Sequence, residues 1–218
     1  MSSIKAIIFD MDGVLIDAKD WHYQALNKAL AHFGMQISRQ DHLCTYDGLP
    51  TKRKLEILSA ERGLSKKLHP FINDLKQQYT LEIVYTSCKP VFFHHYALTH
   101  LKNQGYKIVV CSNSIRKTVK IMMEKSGLAE YLDFFLSNED VESPKPHPEI
   151  YNKAIEHLGV RPEECLVVED NINGIKAAQA SGAYVMEVVS VDDVNLENIT
   201  NCIRQLTVAK KKQAYSLK

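Results

Sequence analysis

The sequence predicts an α/β fold in which an all-helical segment is inserted into a parallel sheet with helices on both faces. Beyond about residue 90, short apolar runs typical of buried strands alternate with amphipathic helical segments. A similar apolar run, "IKAIIF", stands at 4–9, and no strand pattern separates it from the later strands. We therefore expect the first strand to join the same sheet and residues 17–88 to form the insertion.

The N-terminal elements follow from local patterns. The run at 4–9 is continuous and rich in isoleucine, which favours a buried strand. From Trp21 the apolar residues repeat with helical spacing, and Gly34 ends that helix. Residues 41–85 contain no strand pattern, and we predict that they are helical throughout.

After Pro90, the alternation of strands and helices indicates a parallel sheet. The strands are predicted at 107–112, 133–137, 165–169 and 183–189. The helices are predicted at 94–103, 115–126, 148–159, 172–182 and 195–206. The predicted domains are therefore a core of residues 1–16 plus 89–218 and a helical domain of residues 17–88.

Composition and charge argue against several classes of protein. The 218 residues include 27 basic and 26 acidic side chains, a net charge of +1, so we expect no nucleic-acid partner. Lys210, Lys211 and Lys212 form a basic cluster, which we interpret as a solvated tail. The apolar runs are too short to cross a bilayer and the N-terminus shows no signal-peptide pattern, so we expect no membrane association.

The cysteines indicate a reducing compartment. There are five, an odd number, and no pair has C-x-x-C spacing, which disfavours a disulfide framework or a zinc site. We therefore predict reduced thiols, a cytoplasmic location and, as the default for a chain of this size, a monomer.

Chemically versatile side chains follow the predicted strands. The carboxyl ends of parallel strands share one edge of the sheet, which is where ligands bind. The side chains expected at that edge are Asp10, Asp12, Ser112, Asn113, Glu169 and Asp170, with Lys145 from the loop before the helix at 148. Each has an ordinary structural alternative, since Glu169 and Asp170, for example, could simply cap the next helix. Their ordered occurrence at successive strand ends and in a strand-linked loop favours a chemical role.

The composition of this set indicates phosphoryl transfer. Clustered acids repel one another unless a cation joins them, and oxygen ligands with few carboxylates suit Mg²⁺. A lysine and a hydroxyl are suited to holding phosphate oxygens. A metal, a phosphate cradle and a free carboxylate together suggest transfer through an aspartyl-phosphate.

Four ordered motifs, "DMDGVLID", "CSNS", "SPKPHPEIY" and "VVEDNINGIKAAQASG", resemble those of the haloacid dehalogenase superfamily. More narrowly, they are similar to its branch of β-phosphoglucomutase-like and phosphoglycolate-phosphatase-like enzymes. The motifs span residues 7–182. The resemblance implies a Rossmann-like core with a helical cap inserted after the first strand, which agrees with the insertion predicted above.

The resemblance implies a role for each acid. Asp10 is similar to the nucleophile that attacks phosphorus, and Asp12 to the general acid and base. The Asp10 carboxylate, the Asp12 backbone carbonyl and Asp170 resemble the Mg²⁺ ligands. Glu169 resembles an acid at or just outside the metal shell.

Three further residues resemble the phosphate-binding groups of the family. Ser112 is similar to the hydroxyl that donates to the transferring phosphoryl group, and the amide of Asn113 is expected to assist it. Lys145 resembles the cation that orients Asp10 and neutralises the phosphoryl group.

The cap is expected to choose the substrate. The stretch "DGLPTKRKL" resembles the specificity loop of the family, centred on Gly48. Mutases of this branch have arginine three positions after that glycine, where this chain has Thr51. Lys52 or Arg53 could bind substrate instead, or both could be exposed helix residues. His22 falls where the mutases have a histidine, and it could position Asp12 or the substrate or be an ordinary half-buried residue.

The leading interpretation is a Mg²⁺-dependent phosphatase that hydrolyses a small phosphorylated metabolite, a sugar-phosphate-like monoester, through an aspartyl-phosphate. The alternative is a phosphomutase of the β-phosphoglucomutase kind. Thr51 favours the phosphatase, whereas His22 favours the mutase. A non-catalytic protein that binds phosphorylated metabolites is disfavoured, because a pure binder has no use for a nucleophile such as Asp10.

Overall fold

A five-stranded parallel sheet forms the centre of the molecule, with strand order β3-β2-β1-β4-β5. The computed structural model describes residues 3–216, with side chains through residue 209. The strands are β1 Ala6–Phe9, β2 Lys107–Cys111, β3 Phe134–Leu136, β4 Cys165–Glu169 and β5 Tyr184–Glu187. The predicted strands are all present, and the first joins the sheet between the second and the fourth.

Helices cover both faces of this sheet and also fill the interval between β1 and β2. The described helices are α1 Lys19–Ala31, α2 Arg39–Asp41, α3 Thr51–Arg62, α4 His69–Ser87, α5 Phe92–Asn103, α6 Arg116–Lys125, α7 Glu149–Leu158, α8 Ile172–Ala180 and α9 Leu196–Ser216. This is a Rossmann-like arrangement, so the predicted α/β fold class is confirmed.

Alternate residues of β1 point into two separate apolar layers. Ile7 and Phe9 belong to the layer shared with α5, α6 and α9, whereas Ala6 and Ile8 belong to the layer shared with α7 and α8. All four side chains are fully buried. A strand buried on both faces reads as a continuous apolar run, which explains the sequence pattern at 4–9.

Helices α1 to α4, which we call the cap, are held together by an apolar cluster of their own. Leu26 and Leu30 of α1 pack with Leu55 and Leu58 of α3 and with Ile72 of α4. All five side chains are buried. The cap therefore has an independent core, although the domain boundaries at residues 17 and 88 stay a prediction.

The prediction of continuous helix from 41 to 85 is wrong. The chain leaves the helix at 47–50 and again at 63–65. Gly48 and Gly63 both have a φ of 69°, a left-handed conformation that ends a helix. Pro50, which lacks a backbone N–H, stands immediately before α3. The first of these breaks turns the chain toward the edge of the sheet.

The end of the chain differs from prediction in length. The last helix extends to Ser216, well beyond the predicted end at 206. The side chains of Lys210, Lys211 and Lys212 lie outside the described part, so their interpretation as a solvated tail stays a prediction. Within the described residues, no helix combines the length and apolar character needed to span a bilayer. The five cysteines are free thiols.

Candidate active site

The site forms where β1, β2 and β4 end side by side. The register places Phe9 beside both Val110 and Val168, so the residues that follow these three strands meet at one edge. A cavity of about 470 Å³ lies between this edge and the cap. The predicted site residues that line it are Asp10, Asp12, His22, Gly48, Thr51, Lys52, Ser112, Asn113, Lys145 and Glu169.

Lys145 forms a buried ionic cluster at the floor of the cavity. Its side chain is only 4% exposed, and its Nζ lies 2.6 Å from Asp10 Oδ1 and 2.7 Å from Glu169 Oε1. The same ammonium donates to the Cys111 carbonyl at 2.8 Å, and the Tyr151 hydroxyl donates to Glu169 Oε1 at 2.6 Å. Burial lowers the pKa of Lys145, but Asp10 and Glu169 outweigh it and raise the pKa above its ordinary value. The ammonium therefore keeps its charge at any working pH.

Asp10 lies among like charges. Burial raises the pKa of its carboxyl well above the ordinary value; Lys145 opposes the shift, whereas Glu169 and Asp170 add to it. Two ammonium groups, Lys145 on Asp10 and Glu169 and Lys19 on Asp170, lie against these three carboxylates, so one negative charge has no balancing cation among them. The cluster therefore favours a further cation.

The acidic residues fit a divalent metal ion. One carboxylate oxygen from each of Asp10, Glu169 and Asp170 lies within 4.8 Å of the others. Asp170 Oδ1 is buried and accepts no hydrogen bond from any described residue. A methyl group added at Gly13 would lie 2.2 Å from Asp170 Oδ2, so the backbone after Asp12 passes close to the same carboxylate. This all-oxygen set suits a hard cation such as Mg²⁺.

Asp12 is held by a chain of hydrogen bonds that reaches into the cap. Its Oδ1 lies 3.0 Å from His22 Nε2, and its Oδ2 accepts from the Ser114 hydroxyl at 2.8 Å. On the other side of the ring, Lys76 Nζ lies 3.2 Å from His22 Nδ1. Because carboxylates only accept and ammonium groups only donate, His22 carries its proton on Nε2.

The charges along this chain follow from burial and neighbours. Burial raises the pKa of Asp12. The contacts with His22 and Ser114, together with the charge of Lys76, lower it by more, so the pKa lies below its ordinary value. Burial and Lys76 lower the pKa of His22 despite the opposing effect of Asp12. Burial, helped by Lys54, lowers the pKa of Lys76 to about 7. At neutral pH, Asp12 is therefore ionised and His22 is neutral.

Two hydrogen bonds join the loop at Gly48 to the core. Asn113 Nδ2 donates to the Gly48 carbonyl at 3.0 Å, and Asn171 Nδ2 donates to Asp47 Oδ2 at 3.1 Å. Asn113 also bonds both backbone polar groups of Lys145. The amide of Asn113 thus connects three segments here, and its predicted contact with a phosphoryl group stays a prediction.

The cap residues predicted for substrate binding separate into two groups. Thr51 and Lys52 line the cavity. Arg53 does not line it, because its side chain is 64% exposed and pairs with Glu56 at 3.1 Å. The alternative in which Arg53 binds substrate is therefore not supported, and its interpretation as an exposed helix residue fits.

Comparison with known proteins assigns the family. The model of the family described as haloacid dehalogenase-like hydrolase matches residues 7–188, most of the chain. The chain belongs to the haloacid dehalogenase-like hydrolases. The matched range includes every acid of the site, from Asp10 to Asp170. The predicted family, and its class as an enzyme, are confirmed.

Relatives of this haloacid dehalogenase-like hydrolase include phosphate-metabolising enzymes. The pyrophosphatase PpaX of Bacillus mycoides is 30% identical over 194 residues, 85% of this chain and 83% of that protein. A β-phosphoglucomutase from Clostridium difficile has a TM-score of 0.81 at 22% identity, covering 94% of this chain and 99% of its own. CbbY from Rhodobacter sphaeroides, solved in complex with phosphate, has a TM-score of 0.77 at 22% identity, covering 84% of this chain and 85% of its own. At these identities the two structures show a shared fold.

Several lysines and one serine in the site of this hydrolase were not predicted from the sequence. Lys76 stands on the buried stripe of α4 between Ile72 and Thr80, and a lysine on an apolar stripe could have identified it. Lys19 lies 2.6 Å from the buried carboxylate of Asp170 and also lines the cavity. Lys54 lines the cavity from α3. Nothing in the local pattern around Ser114 predicted its bond to Asp12.

Proposed function

We propose that this haloacid dehalogenase-like hydrolase is a Mg²⁺-dependent phosphatase of a small phosphorylated metabolite, a sugar-phosphate-like monoester, and that Asp10 receives the phosphoryl group. The observation that supports this most is the position of Asp10. Its carboxylate lies 2.6 Å from a buried ammonium and beside two further acids that fit a metal ion. A nucleophilic carboxylate needs such neutralisation before it can approach a phosphate dianion.

In the first step, a carboxylate oxygen of Asp10 forms a bond to phosphorus while the bond from phosphorus to the ester oxygen breaks. The electron pair of the broken bond stays on the leaving oxygen, which takes a proton from the carboxyl of Asp12. Lys145 is already in contact with Asp10 and needs no rearrangement to stabilise the developing charge. Mg²⁺, held by Asp10, Asp170, the Asp12 carbonyl and Glu169 at or near its shell, would neutralise the phosphoryl oxygens.

Asp12 can change role between the two steps. Without substrate its pKa lies below the ordinary value, so it is a carboxylate held by His22 and Ser114. A bound phosphate dianion nearby would raise that pKa and favour the protonated, acidic form. After the alcohol leaves, the Asp12 carboxylate takes a proton from a water molecule whose oxygen bonds to phosphorus. The bond between phosphorus and Asp10 breaks, its electron pair returns to the Asp10 carboxylate, and inorganic phosphate is released.

A phosphomutase is the second candidate, and the contact between His22 and Asp12 favours it. That contact connects the acid–base residue to the cap, and the Gly48 loop already lies against the core. A closed cap would exclude water and return the phosphoryl group to another hydroxyl. Thr51, in place of the mutase arginine, favours the phosphatase. A cytoplasmic location and a monomeric state stay predictions.

A substrate panel separates these functions. The full chain with Mg²⁺ is given sugar monophosphates, sugar bisphosphates, phosphoglycolate and pyrophosphate, the last because of the PpaX relative. Release of inorganic phosphate from an organic monoester supports the phosphatase. Isomerised sugar phosphate that depends on a trace of bisphosphate supports the mutase instead. Binding without turnover of any member would contradict both and leave a binding protein.

Lys19→Met is expected to tighten Mg²⁺ binding about threefold to tenfold. The Lys19 ammonium lies 2.6 Å from Asp170 Oδ2, so a metal ion that uses this carboxylate must overcome both competition and like-charge repulsion. A partly screened charge at this range contributes roughly 1 kcal/mol. Isothermal titration of Mg²⁺ into the substrate-free protein measures the change.

Lys28→Met is the matched control for this titration. Lys28 belongs to the same helix, and its exposed side chain pairs with Glu82 at the surface. Mg²⁺ affinity in this variant should equal that of the wild type. If Lys19→Met leaves affinity unchanged or weakens it, Lys19 does not compete for the metal position.

A further inference from the structure

We propose that the hydroxyl of Tyr151 is a positioning group that holds Glu169 against Lys145 and keeps it from binding the metal ion. Glu169 is then an anchor for the Lys145 ammonium rather than a direct metal ligand. The carboxylates of the metal site are those of Asp10 and Asp170. Tyr151 acts on phosphoryl transfer through Lys145, without touching the substrate. This consequence for catalysis rests on the proposed function, whereas the division of metal ligands can be tested without turnover.

Both carboxylate oxygens of Glu169 already accept hydrogen bonds. Oε1 accepts from the Tyr151 hydroxyl at 2.6 Å and from the Lys145 ammonium at 2.7 Å. Oε2 accepts from the backbone N–H groups of Asp170 at 3.1 Å and Asn171 at 3.3 Å. A carboxylate offers about four acceptor positions, so these bonds occupy it fully. By contrast, Asp170 Oδ1 accepts no hydrogen bond from any described residue and is available to a metal ion.

Helix α8 restricts where the Glu169 carboxylate can lie. A methyl group added at Gly174, in the first turn of that helix, would lie 1.7 Å from Glu169 Oε1 and 2.3 Å from Oε2. The carboxylate therefore fills the space that a side chain at Gly174 would take. Packing and hydrogen bonds together keep Glu169 in one place.

Tyr151 contacts both members of the ion pair between Lys145 and Glu169. Its hydroxyl bonds the carboxylate, and the Lys145 ammonium lies 4.8 Å from the centroid of its ring. A cation over an aromatic face is attracted to it, so the ring adds to the hold on the ammonium. One buried side chain thus fixes the group that in turn contacts Asp10.

Packing alone does not explain a tyrosine at this position. Tyr151 belongs to the buried face of α7, together with Ile150, Ala154 and Ile155. Phenylalanine has the same ring and would fill this apolar position without a polar atom that needs a partner. The bond to Glu169 is what accounts for the hydroxyl.

Tyr151→Phe tests the positioning role, because it keeps the ring and removes only the hydroxyl. We expect kcat on the best substrate of the panel to fall about tenfold with KM within about twofold of the wild type, since the substrate contacts remain. Mg²⁺ affinity of the substrate-free protein, measured by isothermal titration, should equal that of the wild type or be tighter. An unchanged kcat, a loss that appears in KM instead, or Mg²⁺ affinity weakened by more than about twofold would overturn the role.

The matched control is Tyr131→Phe. It removes a hydroxyl that lies 3.2 Å from His95 Nδ1, and Tyr131 does not line the cavity. Both kcat and Mg²⁺ affinity should equal the wild-type values. A general effect of losing a tyrosine hydroxyl would appear in this variant as well.

The same titration compares two acids as metal ligands. Asp170→Asn should weaken Mg²⁺ binding by about 10²-fold, because a charged ligand is lost. Glu169→Gln should weaken it by less than about tenfold, since only a neighbouring charge is removed. A loss of about tenfold or more in Glu169→Gln would show that Glu169 binds the ion directly and would overturn the proposal.

These titrations need no substrate, so they separate this proposal from the proposed function. If no compound of the panel is hydrolysed, the phosphatase proposal fails, whereas the Mg²⁺ affinities still support or overturn the position of Glu169. If hydrolysis is observed and Tyr151→Phe keeps the wild-type kcat, the positioning role fails and the proposed function stands.

Discussion

Replacing Asp10 with Asn is expected to lower kcat for phosphate release by at least about 10³-fold, because an amide cannot form the acyl phosphate. The side chains are nearly equal in size, and Lys145 keeps its contact with Glu169 at 2.7 Å. The fold should therefore persist. Steady-state release of inorganic phosphate on the best substrate of the panel measures the loss, and circular dichroism checks the fold.

The matched control for this substitution is Asp17→Asn, which changes an exposed aspartate of the same N-terminal motif. Its kcat should stay within about twofold of the wild-type value, as is usual for surface changes. An Asp10→Asn variant that keeps a tenth or more of the wild-type rate would show that another group attacks phosphorus.

Lys145→Met is expected to damage both activity and stability. The substitution leaves the carboxylates of Asp10 and Glu169 buried without the ammonium that now lies within 2.7 Å of each. Breaking a buried ionic cluster in this way costs about 3–5 kcal/mol of the free energy of unfolding. Loss of the charge that faces the phosphoryl group should lower kcat by about 10²-fold to 10³-fold. Urea unfolding and steady-state kinetics measure the two effects.

The stability loss in Lys145→Met should depend on pH in a defined direction. The pKa of Asp10 is already raised, and without Lys145 the opposition to that shift disappears. A group whose pKa is higher in the folded state stabilises the fold at low pH and loses that effect as pH rises. The deficit relative to wild type should therefore be smaller at pH 5 than at pH 8. Lys153→Met, which removes an exposed lysine paired with Glu149, should unfold like the wild type at both values.

Much of the site could be predicted because it is built from strand ends. Apolar runs buried on both faces marked β1, β2 and β4, and the parallel arrangement brings the residues after them to one edge. Asp10, Ser112 and Glu169 follow directly from that geometry. Lys145 lies in a loop, so it depended on its motif, and the structure places it between Asp10 and Glu169.

The cap side of the site could not be predicted in the same way. Lys54 on α3 and Lys76 on α4 are buried in the cavity wall, whereas a lysine in a helical sequence ordinarily indicates an exposed face. The contact of Lys19 with Asp170 joins positions far apart in the chain, which no local pattern reports. The break between helices at 47–50 was not predicted, because residues 41–85 contain no strand pattern and were therefore assigned to helix throughout. Gly48 and Pro50, whose residue types commonly interrupt helices, do lie at the break.

The central claim, that Asp10 receives the phosphoryl group, is tested most directly by stopping the reaction in acid during turnover. The protein is then reduced with borohydride, which converts an acyl phosphate to an alcohol, and its peptides are analysed by mass spectrometry. We expect the modification at Asp10 and none in protein treated without substrate. Turnover that leaves Asp10 unmodified, with the alcohol found at another acidic residue or at no residue, would contradict the account.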